Sequence, residues 1–164
     1  MGAQAFESIA GRIDYPMYVV TALVGDERDG CLVGFATQCS IDPPRFLVCM
    51  SDKNRTTRLL EHGRGDAMVV HLVPREASHI AELFGAETGD DVDKFSRCAW
   101  TPGPGGIPVL ADCPSWFAGR ILERMPLGDH IGHLLEPFDG DDDAADGGWF
   151  PFSRAKELEP GHEA

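Results

Sequence analysis

A run of small and hydroxyl-bearing side chains follows a short apolar strand in the first third of the chain, and it offers the first candidate binding site. The strand leads into Ala36, Thr37 and Ser40, and the successive prolines at 43–44 then fix the backbone. Small residues let a backbone approach a flat polar ligand closely. An ordinary strand-to-loop junction is the alternative, and composition alone favours it.

A basic cluster lies beside the start of the next helical segment. Lys53, Arg55 and Arg58 are close together in a chain that is otherwise acidic. Asn54 suits the N-cap of this helix, and the N–H groups of a helix N-terminus bind anions such as phosphate. The cluster therefore indicates a phosphate site, with a solvated helix face as the alternative.

A histidine beside an aspartate, in Gly128-Asp-His130, is the third candidate. A histidine in such a turn is suited to orienting a cofactor and to holding a proton near neutral pH, whereas a solvated turn histidine is the alternative. Hydrolytic chemistry has no candidate residues, because neither Gly-x-Ser-x-Gly nor a pair of carboxylates stands out. The Asp-rich run from Asp139 has Ala144 where a calcium loop requires glycine. We therefore predict no metal site.

Strands are the main elements that must position these residues. Apolar, β-branched runs predict the strands, and Gly25-Asp26 with Asp29-Gly30 predicts a hairpin turn between the first two. Asn54 and Gly63 bound a short helix, and Pro74 begins a second one. The segment 102–114, rich in Pro and Gly, predicts a long irregular connection. The predicted strands span residues 17–24, 31–36, 46–50, 67–73, 116–124 and 131–137.

Charge and composition argue against several classes of partner. The chain of 164 residues has a formal net charge of −13, which repels nucleic-acid phosphates and anionic lipid, so we expect neither nucleic-acid nor membrane binding. Its five cysteines include no C-x-x-C pair, so neither a disulfide framework nor a zinc site is expected. No leader pattern and no apolar run near the ~20 residues of a membrane span are present, so a cytoplasmic location is expected.

Taken together, the motifs resemble those of the flavin reductase family, the small reductases of two-component flavin monooxygenases. The signature of that family is a glycine, a run of small and hydroxyl residues, and then Ser-x-Asp-Pro-Pro, which stands here at residues 40–44. The resemblance covers about residues 10–138. Its further motifs are Phe46-Leu-Val-Cys-Met50, Asn54-Arg-Thr56, Met68-Val-Val-His-Leu72, Ile80-Ala-x-x-Phe84, Lys94-Phe95, Gly105-Gly-Ile-Pro-Val-Leu110 and Gly128-Asp-His130.

This resemblance implies a mainly β fold, a six-stranded split β-barrel of Greek-key topology with two or three short helices, usually in a homodimer. It implies that the chain binds FMN, or FAD in its place, that NADH or NADPH reduces this flavin, and that a flavin-dependent monooxygenase receives it. His130 matches the family position near the nicotinamide and is the predicted catalytic residue. The predicted cofactor-binding residues are Phe35, Ala36, Thr37, Gln38, Cys39, Ser40, Lys53, Asn54, Arg55, Thr56 and Asp129.

Because of departures from the family pattern, the sequence does not decide whether the bound flavin is FMN, FAD or a deazaflavin. Phe35 and Gln38 stand where many relatives carry small hydroxyl residues, and Cys39 lies between Gln38 and Ser40. Two other functions therefore remain open. One is a non-enzymatic FMN-binding carrier, and the other is a split-barrel oxidoreductase that holds FMN or a deazaflavin tightly and acts on its own substrate.

The chain divides by composition into residues 1–138, the flavin reductase-like barrel domain, and residues 139–164, an acidic tail that is expected to be flexible. Five aspartates within eight residues begin this tail. Trp149, Phe150 and Phe152 are the exception, because large aromatic side chains gain most from burial. They are expected either to dock on the barrel or a partner subunit, or to stay in the tail.

Overall fold

Strands are the main regular elements of the structure, a computed structural model that describes residues 1–86, 89, 91–143 and 147–158. The strands are β1 (Tyr18–Val24), β2 (Glu27–Val33), β3 (Ala36–Ser40), β4 (Arg45–Ser51), β5 (Ala67–Leu72), β6 (Trp100–Pro102), β7 (Pro108–Leu110), β8 (Ser115–Pro126) and β9 (His130–Asp142). The helices are α1 (Gly2–Ala10), α2 (Arg55–His62), α3 (Ser78–Ala86) and α4 (Phe152–Ala155). The predicted mainly β class with few helices is confirmed.

A sheet of seven antiparallel strands, in the order β2-β1-β5-β8-β9-β4-β3, forms the centre of the fold, and β6 pairs with β7 separately. The sheet is curved, because side chains of the non-adjacent strands β2 and β4 meet: the sulfur atoms of Cys31 and Met50 are 3.7 Å apart. An apolar cluster fills the inside of the curve. Its buried members are Val20, Ala22, Cys31, Val33, Val48, Met50, Leu60, Met68, Val70 and Leu135.

The hairpin predicted at Gly25 is confirmed. β1 and β2 pair from Tyr18 with Val33 to Val24 with Glu27, which leaves a turn of two residues. Gly25 has a φ of 61°, a left-handed conformation that glycine adopts without steric cost. This turn sets the register that buries the core side chains of both strands.

The predicted strand 31–36 is correct as far as Val33, but its end is wrong, because the chain changes direction at Gly34. β2 ends at Val33, and β3 begins at Ala36 and pairs with β4 at the opposite edge of the sheet. A Cβ atom at Gly34 would lie 2.8 Å from the ring of Tyr15, so a glycine permits this crossing. The additional strand β3 makes the sheet seven-stranded.

The strands β8 and β9 are longer than predicted and cross the predicted domain boundary at residue 138. Ala118 pairs with Asp139, and Phe117 pairs with Gly140. The hydroxyl group of Ser115 donates a hydrogen bond of 2.7 Å to the Asp142 carboxylate. This part of the predicted tail, up to Asp142, therefore belongs to the sheet, because ladder hydrogen bonds hold it there.

Residues 147–158, here called the C-terminal strap, pack on the folded chain. Phe150 is 2% exposed, and its backbone N–H donates to the Val73 carbonyl at 2.8 Å. Its carbonyl accepts from the Met17 N–H at 2.9 Å. Of the aromatic residues that were expected to dock, Phe150 therefore packs against the folded chain, whereas Trp149 is 49% exposed. The remaining tail residues, 144–146 and 159–164, lie outside the described residues.

Some elements had no counterpart in the sequence predictions. Helix α1 was not predicted, and none of its residues is buried. The connection predicted to be irregular over 102–114 contains β7, which pairs with β6. Among the described helices, none combines the length and the apolar character that crossing a membrane requires.

Candidate functional site

A cavity of about 280 Å³ lies between β2, β4, the turn that joins β8 to β9, and the C-terminal strap. Its volume is near the lower end of the range of small-molecule pockets, roughly 300–1,000 Å³. Among the predicted site residues, Phe35, Asn54, Asp129 and His130 line it. The fold therefore brings together residues from three separate sequence motifs.

His130 is held in one orientation at the cavity wall. Its Nδ1 atom is 2.7 Å from Oδ1 of Asp129, and its ring centroid is 5.1 Å from that of Phe35. The hydrogen bond from His130 lowers the pKa of the Asp129 carboxyl group. When Nδ1 donates to this carboxylate, Nε2 is left as a hydrogen-bond acceptor. The imidazole is thus suited to positioning a polar group of a ligand.

Two aromatic residues that the sequence analysis did not assign to the site complete the wall. Tyr15 and Phe152 stack with their ring centroids 4.7 Å apart and their planes 12° apart. Burial raises the pKa of the Tyr15 hydroxyl group, so this group stays neutral. Tyr15 carried no motif, and the only sign of Phe152 was the expectation that the aromatic residues of the tail would dock.

Sulfur-containing side chains line the cavity as well. Cys31, Cys49 and Met50 contribute to its surface. Burial raises the pKa of Cys31 to about 12, so the thiol stays protonated and is a poor nucleophile. Neutral, polarisable sulfur atoms contact aromatic ligands favourably. Within the described part of the chain, no group of three or more His, Cys, Asp or Glu is arranged to hold a metal ion.

The predicted binding residues Ala36 to Ser40 form the edge strand β3 and continue from Phe35 beyond the cavity. Because β3 pairs only with β4 among the described strands, its outer backbone groups face no neighbouring strand. The exposed side chains make local hydrogen bonds, from the Thr37 hydroxyl to the Gln38 carbonyl and from the Gln38 amide to the Ser40 carbonyl. Cys39 is also exposed. These residues do not line the cavity itself.

The predicted phosphate-binding segment divides between two places. Asn54 lines the cavity and caps α2, because its Oδ1 accepts from the Thr56 N–H at 2.8 Å. The guanidinium group of Arg55 is 3.5 Å from the Asp29 carboxylate. The buried Thr56 hydroxyl group donates to the same carboxylate at 2.9 Å. The side chains of Arg55 and Thr56 therefore contact β2 and do not reach the cavity.

Lys53 lies beside the turn that carries Asp129. Its positive charge contributes to the lowered pKa of the Asp129 carboxyl group, after the larger effect of His130. The Asp52 N–H donates to the Asp129 carbonyl at 3.0 Å, which joins the start of α2 to this turn. Lys53 is thus a cation of the predicted cluster that lies close enough to favour the charged form of a cavity residue.

Comparison with known proteins relates this geometry to a family. The flavin reductase like domain matches residues 10–148. The high molecular weight rubredoxin of Moorella thermoacetica is 31% identical over 120 residues, which cover 72% of this chain and 52% of that protein. The FMN reductase (NADH) RutF of Bradyrhizobium diazoefficiens is 31% identical over 94 residues, which cover 56% of this chain and 51% of RutF. This chain therefore spans about half the length of these curated relatives.

A solved structure shares the fold. The NADH:FAD oxidoreductase SgcE6 of Streptomyces globisporus superposes with a TM-score of 0.77 at 23% identity, and the match covers 88% of this chain and 86% of that one. The family match includes every strand from β1 to β9 and the cavity residues Phe35, Asp129 and His130. Because it spans most of the sequence, the chain belongs to the flavin reductase like domain family.

Proposed function

We propose that the chain is an NAD(P)H:flavin oxidoreductase that binds FMN, or FAD in its place, beside His130. The observation that carries this proposal is that Phe35, Asn54 and His130, from three separate motifs of one family, line a single cavity. The names of the relatives support it, since RutF is an FMN reductase (NADH) and SgcE6 is an NADH:FAD oxidoreductase.

The residues around the cavity fit a flavin, which combines a flat ring system with a polar tail. The rings of Tyr15 and Phe35 and the neutral sulfur atoms offer apolar contact to the ring system. The outer backbone groups of β3 offer hydrogen bonds to the polar tail. Lys53 and the N-terminal end of α2 offer positive charge and N–H groups to its phosphate.

Arg55 and Thr56, predicted from the sequence to hold the phosphate, are assigned a supporting part in this proposal. Their contacts with Asp29 join α2 to β2. Since Asn54 caps the same helix and lines the cavity, these contacts fix the position of the phosphate-binding end of α2. We therefore propose that the two side chains act on flavin binding through the helix.

A bound flavin would supply the redox chemistry, by accepting a hydride from the reduced nicotinamide, and the chain would bind and orient the two rings. We assign His130 the orientation of the reductant, because Asp129 and Phe35 hold its imidazole at the cavity wall. The buried side chains of Cys31 and Met50 would keep water from one side of the bound rings. Such positioning accounts for a large part of catalysis in bimolecular reactions.

We further propose that the predicted six-stranded barrel lies within the seven-stranded sheet. The strands β2, β1, β5, β8, β9 and β4 contribute to or border the buried cluster of the curved sheet. The contact between Cys31 and Met50 joins the first of these strands to the last. In this proposal β3 is an additional strand outside the barrel.

A homodimer, a partner flavin-dependent monooxygenase and a cytoplasmic location remain proposals that rest on the family resemblance. Exposed apolar side chains support a subunit interface, because a monomer gains nothing from leaving such groups in water. They include Phe6, Ile9, Ile13 and Phe138. Sedimentation of the purified protein tests the dimer directly, and a single species with the mass of one chain would contradict it.

Titration of FMN with the purified protein, followed by NADH or NADPH under anaerobic conditions, tests the proposed activity. We expect quenching of flavin fluorescence on binding and then bleaching of the flavin absorbance near ~450 nm, because hydride transfer removes the oxidised chromophore. Quenching without bleaching would contradict the proposal and favour an FMN carrier. A flavin or deazaflavin that copurifies and does not exchange would favour an oxidoreductase with its own substrate.

The Lys53→Ala substitution is expected to raise the dissociation constant of FMN about fivefold, because it removes an exposed charge from the phosphate. Riboflavin, which lacks the phosphate, should bind equally well to the variant and the wild type. Arg55→Ala is the matched substitution, and we expect it to lower Tm more and FMN affinity less, since Arg55 contacts Asp29. Equal losses for FMN and riboflavin in Lys53→Ala would contradict the assigned phosphate contact.

A further inference from the structure

The C-terminal strap forms part of the cavity wall, although most of it lies beyond the family match. That match ends at residue 148, whereas Phe152, Ala155 and Leu158 line the cavity. The residues that the family model matches therefore do not account for this wall.

The segment before β1 holds the strap in place through hydrogen bonds. Asp14 accepts two from Ser153: one of 2.9 Å from its backbone N–H to Oδ1, and one of 2.8 Å from its hydroxyl group to Oδ2. The Phe152 N–H donates to the Tyr15 carbonyl at 2.8 Å. The bonds from Ser153 lower the pKa of the Asp14 carboxyl group, which keeps it ionised near neutral pH. Asp14 therefore fixes the start of α4 and, with it, the place of Phe152.

The rings of Phe152, Tyr15, Phe35 and His130 form a continuous row. Phe152 stacks on Tyr15, and the centroid of Tyr15 is 6.4 Å from that of Phe35. Phe35 in turn lies 5.1 Å from His130. A flat π-system gains from contact with such rings. The row connects the strap to the residue that we propose orients the reductant.

We propose that Phe152 is a binding residue that determines the specificity of the cavity for the dihydronicotinamide ring of NAD(P)H, and that Asp14 is a positioning residue that holds Phe152 in place. This inference rests on the proposed function and extends it to a wall that lies mostly outside the family match. The flavin is assigned to Phe35, β3 and the start of α2. Phe152 stacks on Tyr15, and Tyr15 lies between it and Phe35, so the strap is one ring further from the assigned flavin contacts and is assigned the second, smaller ring.

Steady-state oxidation of NADH by the full chain at saturating FMN, with FMN affinity measured separately by fluorescence, tests the proposal. Phe152→Ala is expected to raise KM for NADH about tenfold through loss of stacking and contact area, with kcat and FMN affinity little changed. Phe152→Tyr, which keeps the ring, should restore the wild-type KM. Trp149→Ala is the control, because this aromatic residue of the strap is half exposed and does not line the cavity.

The positioning role of Asp14 is tested by measuring KM and kcat for NADH in the same assay. Asp14→Ala should raise KM for NADH in the same direction as Phe152→Ala. Asp14→Asn, which keeps Oδ1 as the acceptor for the Ser153 N–H, should restore most of the affinity. Circular dichroism establishes that each variant is folded.

Distinct outcomes separate this inference from the proposed function. If the wild-type protein does not oxidise NAD(P)H, the proposed function fails and this inference fails with it. If the wild type is active and a folded Phe152→Ala variant keeps its KM, the inference alone is overturned. A rise in the FMN dissociation constant larger than the rise in KM would also overturn it, because the ring would then contact the flavin.

Discussion

Replacing His130 with alanine is expected to lower kcat/KM for NADH about a hundredfold, because misplacing a reacting group by about 1 Å has an effect of this size. The imidazole is held from two sides, by Asp129 at 2.7 Å and by the ring of Phe35 at 5.1 Å. Alanine removes the side chain that we propose orients the reductant and leaves the backbone of β9 in place. Steady-state kinetics at saturating FMN measure the effect.

His79→Ala is the matched control for this prediction. Its Nε2 atom lies 2.8 Å from Oδ2 of Asp112, so it forms a similar histidine–aspartate pair. The pair does not line the cavity. A hundredfold loss in both variants, or in neither, would contradict the role assigned to His130.

The free energy of unfolding is expected to fall by about 3 kcal/mol as the pH is lowered from 6.5 to 4, because the buried His71 resists protonation in the folded state. Its ring is fully buried, with Nδ1 donating to the Val19 carbonyl at 2.9 Å and Nε2 accepting from the Leu110 N–H at 3.0 Å. Burial lowers the pKa of His71 to about 4. An unfolded histidine binds a proton near pH 6.5, so the unfolded state takes up more protons in this window. The stabilisation that the neutral His71 gives to the folded state is therefore complete above pH 6.5 and is lost toward pH 4.

Chemical denaturation at a series of pH values measures this slope. His71→Gln keeps a donor and an acceptor but does not titrate, so its free energy of unfolding should fall less steeply between pH 6.5 and 4. His62→Gln, at an exposed position, is the control. Burial also lowers the pKa of His133, but this contribution is common to the proteins compared. An unchanged slope in His71→Gln, or an NMR titration of the wild-type His71 ring centred near pH 6.5, would contradict the prediction.

Signals carried by single residues allowed several elements to be predicted from the sequence. Gly25 marked the first hairpin because the turn needs a left-handed residue. Asn54 marked the start of α2 because its side chain accepts from the Thr56 N–H, and Gly63 marked its end. Helical spacing identified the buried face of α3. That face contains Ile80, Ala81 and Phe84.

Contacts between distant segments could not be predicted in the same way. The motif resemblance named four residues of the cavity wall, but neither Tyr15 nor Phe152 belongs to a motif, and their contact depends on how the chain ends pack. Charge clustering near α2 indicated a phosphate site. It could not show that Asp29, a buried acid of the neighbouring strand, engages Arg55 and Thr56.

Features at both edges of the central sheet bear on aggregation, because unpaired strands are templates for the addition of further chains. At the β2 edge, the Lys94 ammonium group donates a hydrogen bond of 2.8 Å to the Gly30 carbonyl. The Phe84 ring also covers Gly30, because a Cβ atom on this glycine would lie 2.8 Å from the ring. At the β3 edge, the register shifts by a bulge between Gln38 and Ser40. Bulges and covering side chains interrupt a regular ladder. Strand-by-strand polymerisation is therefore disfavoured at both ends of the sheet, even though the proposed flavin contacts of β3 need an edge strand that remains accessible.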